Sequence, residues 1–240
     1  MEQSVEMKIH MESERAELAE RVARLRESLA QAARRFSAPP TLLAVTKQQP
    51  PERINLLPAA GIRQIAESRA QEWRDKSGRL LPGFELHWIG RLQTNKIKYI
   101  IDQVCLVHSL DRAALAEELG RCAQQAGRRV PALVQVNIAG EAQKAGLPPG
   151  DLPHFLRQYG GHPGLWLQGL MAIMPEAEDP EMLRPYFRLM RETFESVGAQ
   201  TIAGVEMRHL SMGMSADYIV AAQEGATIVR VGSAIFGSRR

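Results

Sequence analysis

The sequence has few cysteines and no long apolar run. Cys105 and Cys122 are its only cysteines and have no metal-binding spacing, which indicates a reducing cytoplasm more than a disulfide framework. No apolar run approaches the roughly 20 residues that span a bilayer. The first twenty residues lack the apolar segment of a signal peptide. We therefore expect a cytoplasmic protein with no membrane partner.

Strong charge imbalance and the common catalytic signatures are also missing. The net charge is only +3, with a pI near 9.0, and the arginines are scattered, so nucleic acid binding is not expected. The six histidines are dispersed, without the clustering that zinc needs. Neither a GxSxG elbow nor a GxxxxGK[ST] phosphate loop is present. These absences disfavour zinc enzymes, serine hydrolases and P-loop proteins.

Apolar runs alternate with helical patterns along the chain. The predicted strands lie at 42–45, 62–66, 84–89, 104–108, 130–137, 165–173, 207–210 and 227–231, each followed by a helix or a helical turn. Asp111 is expected to cap one of these helices. Eight such units in 240 residues predict an α/β fold, a (β/α)8 TIM barrel, as one domain over residues 1–240. An open doubly wound sheet is the alternative, although no GxGxxG follows the first strand.

A long helix precedes the first strand. Leu18, Val22, Leu25 and Leu29 recur at helical spacing within a charged segment, which predicts an amphipathic helix over about residues 5–35. We expect it to pack against the outside of the barrel. A coiled-coil arm is the alternative interpretation.

A lysine stands just after the first predicted strand. The segment Thr41–Gln49 reads TLLAVTKQQ between two proline pairs, typical of a short buried strand. Lys47 emerges at its C-terminal end, where α/β barrels keep their chemistry. A lysine amine beside apolar walls loses its proton more readily and becomes a nucleophile toward carbonyl groups. The alternative is a solvated lysine with no role.

The last strand and the loop before it have the composition of a phosphate site. Arg230 interrupts an apolar strand, which is costly unless an anion or a hydrogen-bonding group meets it. Gly232 permits close backbone approach, and Ser233 can start a short helix whose N–H groups favour phosphate. Ser211 and Gly213 precede them, whereas Ser215 is expected to cap its own helix. The alternative is a plain turn with the arginine reaching solvent.

Polar groups follow three other predicted strands. They are the segment His87–Lys96, the pair His108–Ser109 and the end of the strand at Gln135–Asn137. Each alone is typical of a cap or surface loop. Because the C-terminal ends of barrel strands converge on one mouth, we expect these groups to share a site with Lys47 and Arg230. A phosphorylated molecule with a carbonyl fits such a site, and pyridoxal 5′-phosphate (PLP) is one.

Several segments together resemble the pyridoxal phosphate homeostasis proteins, which look like the alanine racemase N-terminal barrel standing alone. They are AVTK (44–47), HWIGRLQTNKIK (87–98), HSLD (108–111), VQVNIAGEAQKAG (134–146), GLM (169–171), LSMGMSAD (210–217) and GATIVRVGSAIFG (225–237). In this order they cover nearly the whole chain after the first helix. The resemblance implies a barrel of that type with PLP as its cofactor.

The resemblance also implies roles for individual residues. Lys47 would form the Schiff base with PLP, and Arg230 would face the pyridine nitrogen. The other expected cofactor-binding residues are Ser211, Gly213, Gly232, Ser233 and Asn95, with no catalytic residue and no metal ligand. Where the family usually has Gly-Glu-Asn, this chain has Ala66-Glu67-Ser68. The contact that the asparagine makes is therefore not carried over to Ser68.

Three functions are compatible with these residues. The first is a non-catalytic protein that buffers PLP or delivers it to PLP-requiring apoenzymes, expected to be a monomer. The second is an amino acid racemase, which needs a second acid/base opposite the lysine. We expect no further domain after the barrel to supply one, and the four tyrosines lie in predicted helices. The third is a Schiff-base aldolase on a barrel. We expect the first.

Overall fold

The computed structural model describes residues 2–237, with side chains from residue 11 onward. The strands are β1 (Thr41–Val45), β2 (Gln64–Glu67), β3 (Glu85–Trp88), β4 (Val104–Leu110), β5 (Val130–Gln135), β6 (Leu165–Met171), β7 (Val205–Ser211) and β8 (Ile228–Val231). The helices are α1 (Glu2–Ala32), α2 (Pro51–Ile54), α3 (Ala70–Ser77), α4 (Ala113–Gln125), α5 (Leu152–Tyr159), α6 (Arg184–Gly198), α7 (Tyr218–Gln223) and α8 (Ser233–Phe236). Four 3-10 helices occupy 57–60, 94–99, 149–151 and 180–183.

The eight strands are parallel and close into a barrel in chain order, β8 pairing with β1. This confirms the predicted (β/α)8 barrel, and the doubly wound alternative is wrong. Because successive side chains of a strand point to opposite faces, each strand contributes to two layers. A small inner cluster fills the barrel with Leu43, Val45, Ala66, Leu106, Leu133, Met171 and Ile228. A larger outer cluster joins the strands to the surrounding helices.

Helix α1 packs on the outside of the barrel. Leu18, Val22, Leu25 and Leu29 are all buried, and the helix contacts α7, α8 and the 3-10 helix at 57–60. Burial of such a side chain contributes roughly 2 kcal/mol. Since the apolar stripe lies against the barrel, it is not available for a coiled-coil arm. Within residues 2–237 no helix is both long and apolar enough to cross a membrane.

The predicted cap at Asp111 is wrong. The residue that precedes α4 is Arg112, and its side chain makes no cap hydrogen bond. The Asp111 carboxylate instead accepts a hydrogen bond from Arg112 and lies 3.8 Å from the Arg91 guanidinium. Two arginines compete with the helix amides for this carboxylate, because a charged donor binds it more strongly than a backbone N–H.

Candidate functional site

A cavity of about 570 Å³ opens at the C-terminal ends of the strands, within the size range of small-molecule sites. It is lined by Val45, Lys47, Gln49, Ser68, Ile89, Gly90, Arg91, Gln135, Lys144, Ala145, Ile173, Met214, Ser215, Ala216, Arg230, Gly232, Ser233 and Gly237. We call it the mouth cavity. All strand ends except that of β4 contribute to it. Of the polar groups expected to share this site, Arg91 and Gln135 line the cavity, whereas His87, His108, Ser109 and Asn137 do not.

Lys47 is presented by a tight turn after β1. The turn is closed by the hydrogen bond from Gln49 N–H to Thr46 O at 3.0 Å. Gln48 has a φ of 61° and is the one non-glycine residue with positive φ in the described part of the chain. Such a conformation needs support from its surroundings. The Glu72 carboxylate supplies it by accepting the Gln48 N–H.

A buried charge cluster lies beneath this turn. Lys76 Nζ donates to Thr46 O at 2.9 Å and lies 2.6 Å from Glu67 Oε1 and 2.8 Å from Glu72 Oε1. The Thr46 hydroxyl also donates to Glu67. Burial raises the pKa of the Glu67 carboxyl, against the lowering effect of Lys76. This cluster was not predicted from the sequence, although the spacing of Glu72 and Lys76 places them on adjacent turns of α3.

Arg230 lies inside the barrel and lines the mouth cavity. It is only 4% exposed, and its guanidinium donates to Ser211 Oγ at 2.7 Å and to Ala172 O at 2.8 Å. Burial lowers its pKa to about 10, while the charge of Asp217 opposes that effect, so the group is protonated at neutral pH. No carboxylate of the described residues pairs with it. A buried cation without an anionic partner suits a ligand that brings an acceptor.

Two histidines extend the chain of polar contacts that begins at Arg230 and Ser211. His108 Nδ1 is 2.9 Å from Ser211 Oγ, and His108 Nε2 is 2.9 Å from His87 Nδ1. When both rings are neutral, one nitrogen of each donates and the other accepts, which satisfies these contacts without charge. Burial lowers the pKa of His87 to about 4, helped by His209. Burial, then the charges of His87 and Arg230, hold the pKa of His108 well below its usual range.

These histidines predict a loss of stability in acid. Between pH 6.5 and about 4 the unfolded chain binds a proton at His87 that the folded chain does not, so stability falls as pH falls. The difference in pKa corresponds to about 3 kcal/mol. We expect His87→Gln to flatten this part of the pH profile in urea unfolding, and the exposed-site variant His154→Gln to leave it unchanged. An equally steep profile in His87→Gln would contradict the burial of a neutral His87.

Ser215, Gly232 and Ser233 form the other wall of the mouth cavity. Ser215 Oγ accepts the N–H of Gly232 at 3.2 Å and of Ala234 at 3.5 Å. The predicted cap role of Ser215 is therefore wrong, because α7 begins only at Tyr218 and the serine faces the start of α8 instead. With Ser233, it places two hydroxyl groups on the cavity wall.

Three of the seven predicted cofactor-binding residues do not line the mouth cavity. Ser211 is fully buried behind Arg230. Gly213 follows β7, and its carbonyl accepts the backbone N–H of Arg230 at 3.0 Å. Its φ is 90°, and a side chain at this position would clash with Ala221. Asn95 is exposed in the 3-10 helix 94–99, to one side of the mouth. Lys47, Arg230, Gly232 and Ser233 do come together there.

The segment 141–146 forms part of the cavity wall. Lys144 and Ala145 line the cavity, and Gln135 donates to Ala145 O at 3.0 Å. Asn137 donates to Glu141 O at 2.8 Å, which ties the start of the segment to the residues that follow β5. The motif at 134–146 gave no position for these residues. The hydrogen bonds that hold the segment join its backbone carbonyls to the side-chain amides of Gln135 and Asn137. No spacing in the sequence specifies such contacts.

The closed barrel and its lysine-bearing mouth define an alanine racemase-like domain, and the family model "Alanine racemase, N-terminal domain" matches residues 21–240. The chain belongs to the pyridoxal phosphate homeostasis protein family. A protein of that name from Aquifex aeolicus (strain VF5) is 42% identical over 200 residues, 83% of this chain and 87% of its own length. The Pseudomonas aeruginosa PAO1 protein is 40% identical over 229 residues, 92% and 94% of the two chains.

A solved structure of a relative is also similar. PipY of Synechococcus elongatus PCC7942, in the structure with PLP bound, is 35% identical, with a TM-score of 0.81. The match covers 92% of this chain and 100% of PipY. The family resemblance found in the sequence motifs is thereby confirmed.

Proposed function

We propose that this protein binds PLP in the mouth cavity, attached through Lys47, and acts in PLP homeostasis by holding the cofactor. The proposal depends on one observation: Lys47, the buried cation Arg230 and the hydroxyl groups of Ser215 and Ser233 line one cavity. PLP brings an aldehyde that an unprotonated lysine amine can attack, together with a phosphate and a pyridine nitrogen. PipY, which is 35% identical to this chain, has PLP bound in its solved structure. The two relatives named above are PLP homeostasis proteins.

The chemistry of the lining residues supports a role for each. Lys47 offers the amine, and the hydroxyls of Ser215 and Ser233, with the Gly232 backbone, suit a phosphate group. Arg230 suits the pyridine nitrogen: an arginine donates hydrogen bonds and keeps its charge, so it disfavours protonation of that nitrogen. Ser211 and Gly213 hold Arg230 in place from behind. We do not assign Asn95 to the cofactor.

Turnover is not part of the proposed role. Of the described residues that line the cavity, none is a tyrosine, histidine, cysteine or carboxylate. The second lining lysine, Lys144, is engaged by Glu141 at 2.6 Å and donates to Met174 O at 3.0 Å. A racemase needs an acid/base on each face of its substrate, and this lining offers no free partner for Lys47. We propose a monomer that buffers PLP or passes it to PLP-requiring apoenzymes.

The proposed function is tested by adding PLP to the purified protein. We expect stoichiometric uptake, a visible absorbance band and its loss on borohydride reduction. The loaded protein should racemise amino acids no faster than free PLP does. A colourless protein that takes up no PLP would refute the cofactor assignment, whereas racemisation well above the free-cofactor rate would refute the non-catalytic role.

A further inference from the structure

A second cavity, of about 530 Å³, lies beside the mouth cavity. Ser68 and Arg91 line both, so the two adjoin. The second cavity lies between the start of α3, the segment after β3 and the start of α4, and we call it the side cleft. Among its lining residues are Leu92, Gln93 and Lys96, which belong to the polar segment after His87 and do not line the mouth cavity.

The lining of the side cleft is strongly cationic. Four of its residues are Arg69, Arg91, Lys96 and Arg112, and none of its described lining residues is acidic. Asp111 neutralises part of this charge, since it pairs with Arg112 and lies 3.8 Å from Arg91. Arg69 and Lys96 have no ion-pair partner in the described part of the chain. So dense a group of cations, in a chain whose net charge is +3, favours an anion.

Helix α3 adds backbone donors. Arg69, Ala70 and Gln71, at its N-terminus, line the cleft, and no side chain caps this end. Free N–H groups and the helix dipole favour a negative charge there. The acidic residue of the first turn, Glu72, is held by Lys76 and by Gln48 N–H and does not line the cleft.

A buried indole provides an independent indication of a ligand. Trp88 forms part of the cleft wall and is 1% exposed. Its Nε1 has no hydrogen-bond partner among the described residues. An indole N–H is only a donor, and a buried donor without an acceptor is costly. An acceptor brought by a ligand would remove that cost.

We propose that the side cleft is a second anion site that takes the phosphate group of a small phosphorylated organic molecule. Arg69 and Lys96 supply the free charges, α3 the backbone donors and Trp88 a further donor. The cavity is large enough for a small molecule and not only for a lone phosphate ion. This site is separate from Lys47 and does not depend on covalent attachment.

Phenyl phosphate is a suitable probe, because it has no aldehyde with which to react with a lysine. It is titrated into two forms, the untreated protein and the protein carrying borohydride-fixed PLP, while the indole ¹H–¹⁵N signals are recorded. We expect the Trp88 signal to shift in both forms. The Trp166 signal, whose N–H is hydrogen-bonded to Glu206 at 3.2 Å, should remain in place. If PLP fails to load, the PLP proposal fails, while the untreated form still tests the cleft.

Variants that each remove two positive charges distinguish binding in the side cleft from a general effect of net charge. Arg69→Gln/Lys96→Gln is expected to weaken phenyl phosphate binding about tenfold or more, the loss of roughly one charged hydrogen bond. The control, Arg24→Gln/Arg79→Gln, removes the same charge from exposed positions away from the cleft and should bind as the wild type does.

Three results would overturn the proposal. They are an unchanged Trp88 signal, equal weakening in both double variants, and inorganic phosphate binding as tightly as phenyl phosphate. The last would contradict the assignment to an organic molecule. Chloride at matched ionic strength serves as the baseline.

Discussion

Lys47→Ala is expected to abolish the covalent, borohydride-fixed loading of PLP. Lys47 is exposed and lines the mouth cavity together with Arg230 and Ser233, so it shares one cavity with the groups proposed to hold the cofactor. Its loss leaves the hydrogen-bonding contacts of PLP but no nucleophile for its aldehyde. Weak, reversible binding should therefore persist without the visible band. The measurement is absorbance after gel filtration, with and without borohydride.

Lys144→Ala is the matched control for this variant. Lys144 lines the same cavity, but its amine is engaged by Glu141 and by Met174 O. We expect Lys144→Ala to keep a stoichiometric fixed label. If Lys47→Ala retained the label and Lys144→Ala lost it, the anchor would be Lys144 and the role proposed for Lys47 would be wrong.

Lys76→Met is expected to destabilise the protein by about 3–5 kcal/mol, the usual cost of breaking a buried ion pair from one side. Lys76 is 5% exposed, and Glu67 is fully buried. Without the ammonium group, Glu67 retains a buried charge and Thr46 O loses one of its two donors, keeping the Gln49 N–H. The free energy of urea unfolding at pH 7 measures the effect.

The pH dependence of the stability loss distinguishes an unpaired Glu67 charge from a simple loss of packing. Burial already raises the pKa of Glu67, and removal of Lys76 raises it further. A carboxyl with a raised folded-state pKa costs more stability as pH rises, so the deficit of Lys76→Met should grow from pH 5 to pH 8. Glu67→Gln in the same chain should recover part of it. The exposed variant Lys98→Met should cost little; a comparably small loss in Lys76→Met would contradict the proposed charge cluster.

Local patterns were sufficient to predict the barrel. Most strands are short apolar runs between turn signals, although β7 carries Glu206, Arg208 and His209. The alternation of these runs with helical segments specifies parallel pairing. Lys47 and Arg230 were found because a charged residue beside or inside an apolar strand conflicts with its surroundings. The motif order then identified the family. Each of these signals is found within a single segment of the sequence.

Contacts between distant segments were not predictable in this way. Glu67 and Lys76 meet beneath the Lys47 turn because β2 and α3 pack there. Ser215 accepts N–H groups from a strand end 17 residues away, so its own helix does not reveal its role. Asp111 has the sequence context of a cap, but arginine donors occupy it. Asn95 belongs to a motif segment that reaches the mouth, yet it is exposed in the 3-10 helix and does not line the mouth cavity.

The most direct test is to locate the PLP label on the chain. Wild-type protein is loaded with one equivalent of PLP, reduced with borohydride, digested and analysed by mass spectrometry. We expect the added pyridoxyl mass on the peptide that contains Lys47 and on no other lysine at that ratio. A label on Lys144 or Lys96, or one spread over surface lysines, would contradict the proposal that Lys47 anchors the cofactor in the mouth cavity.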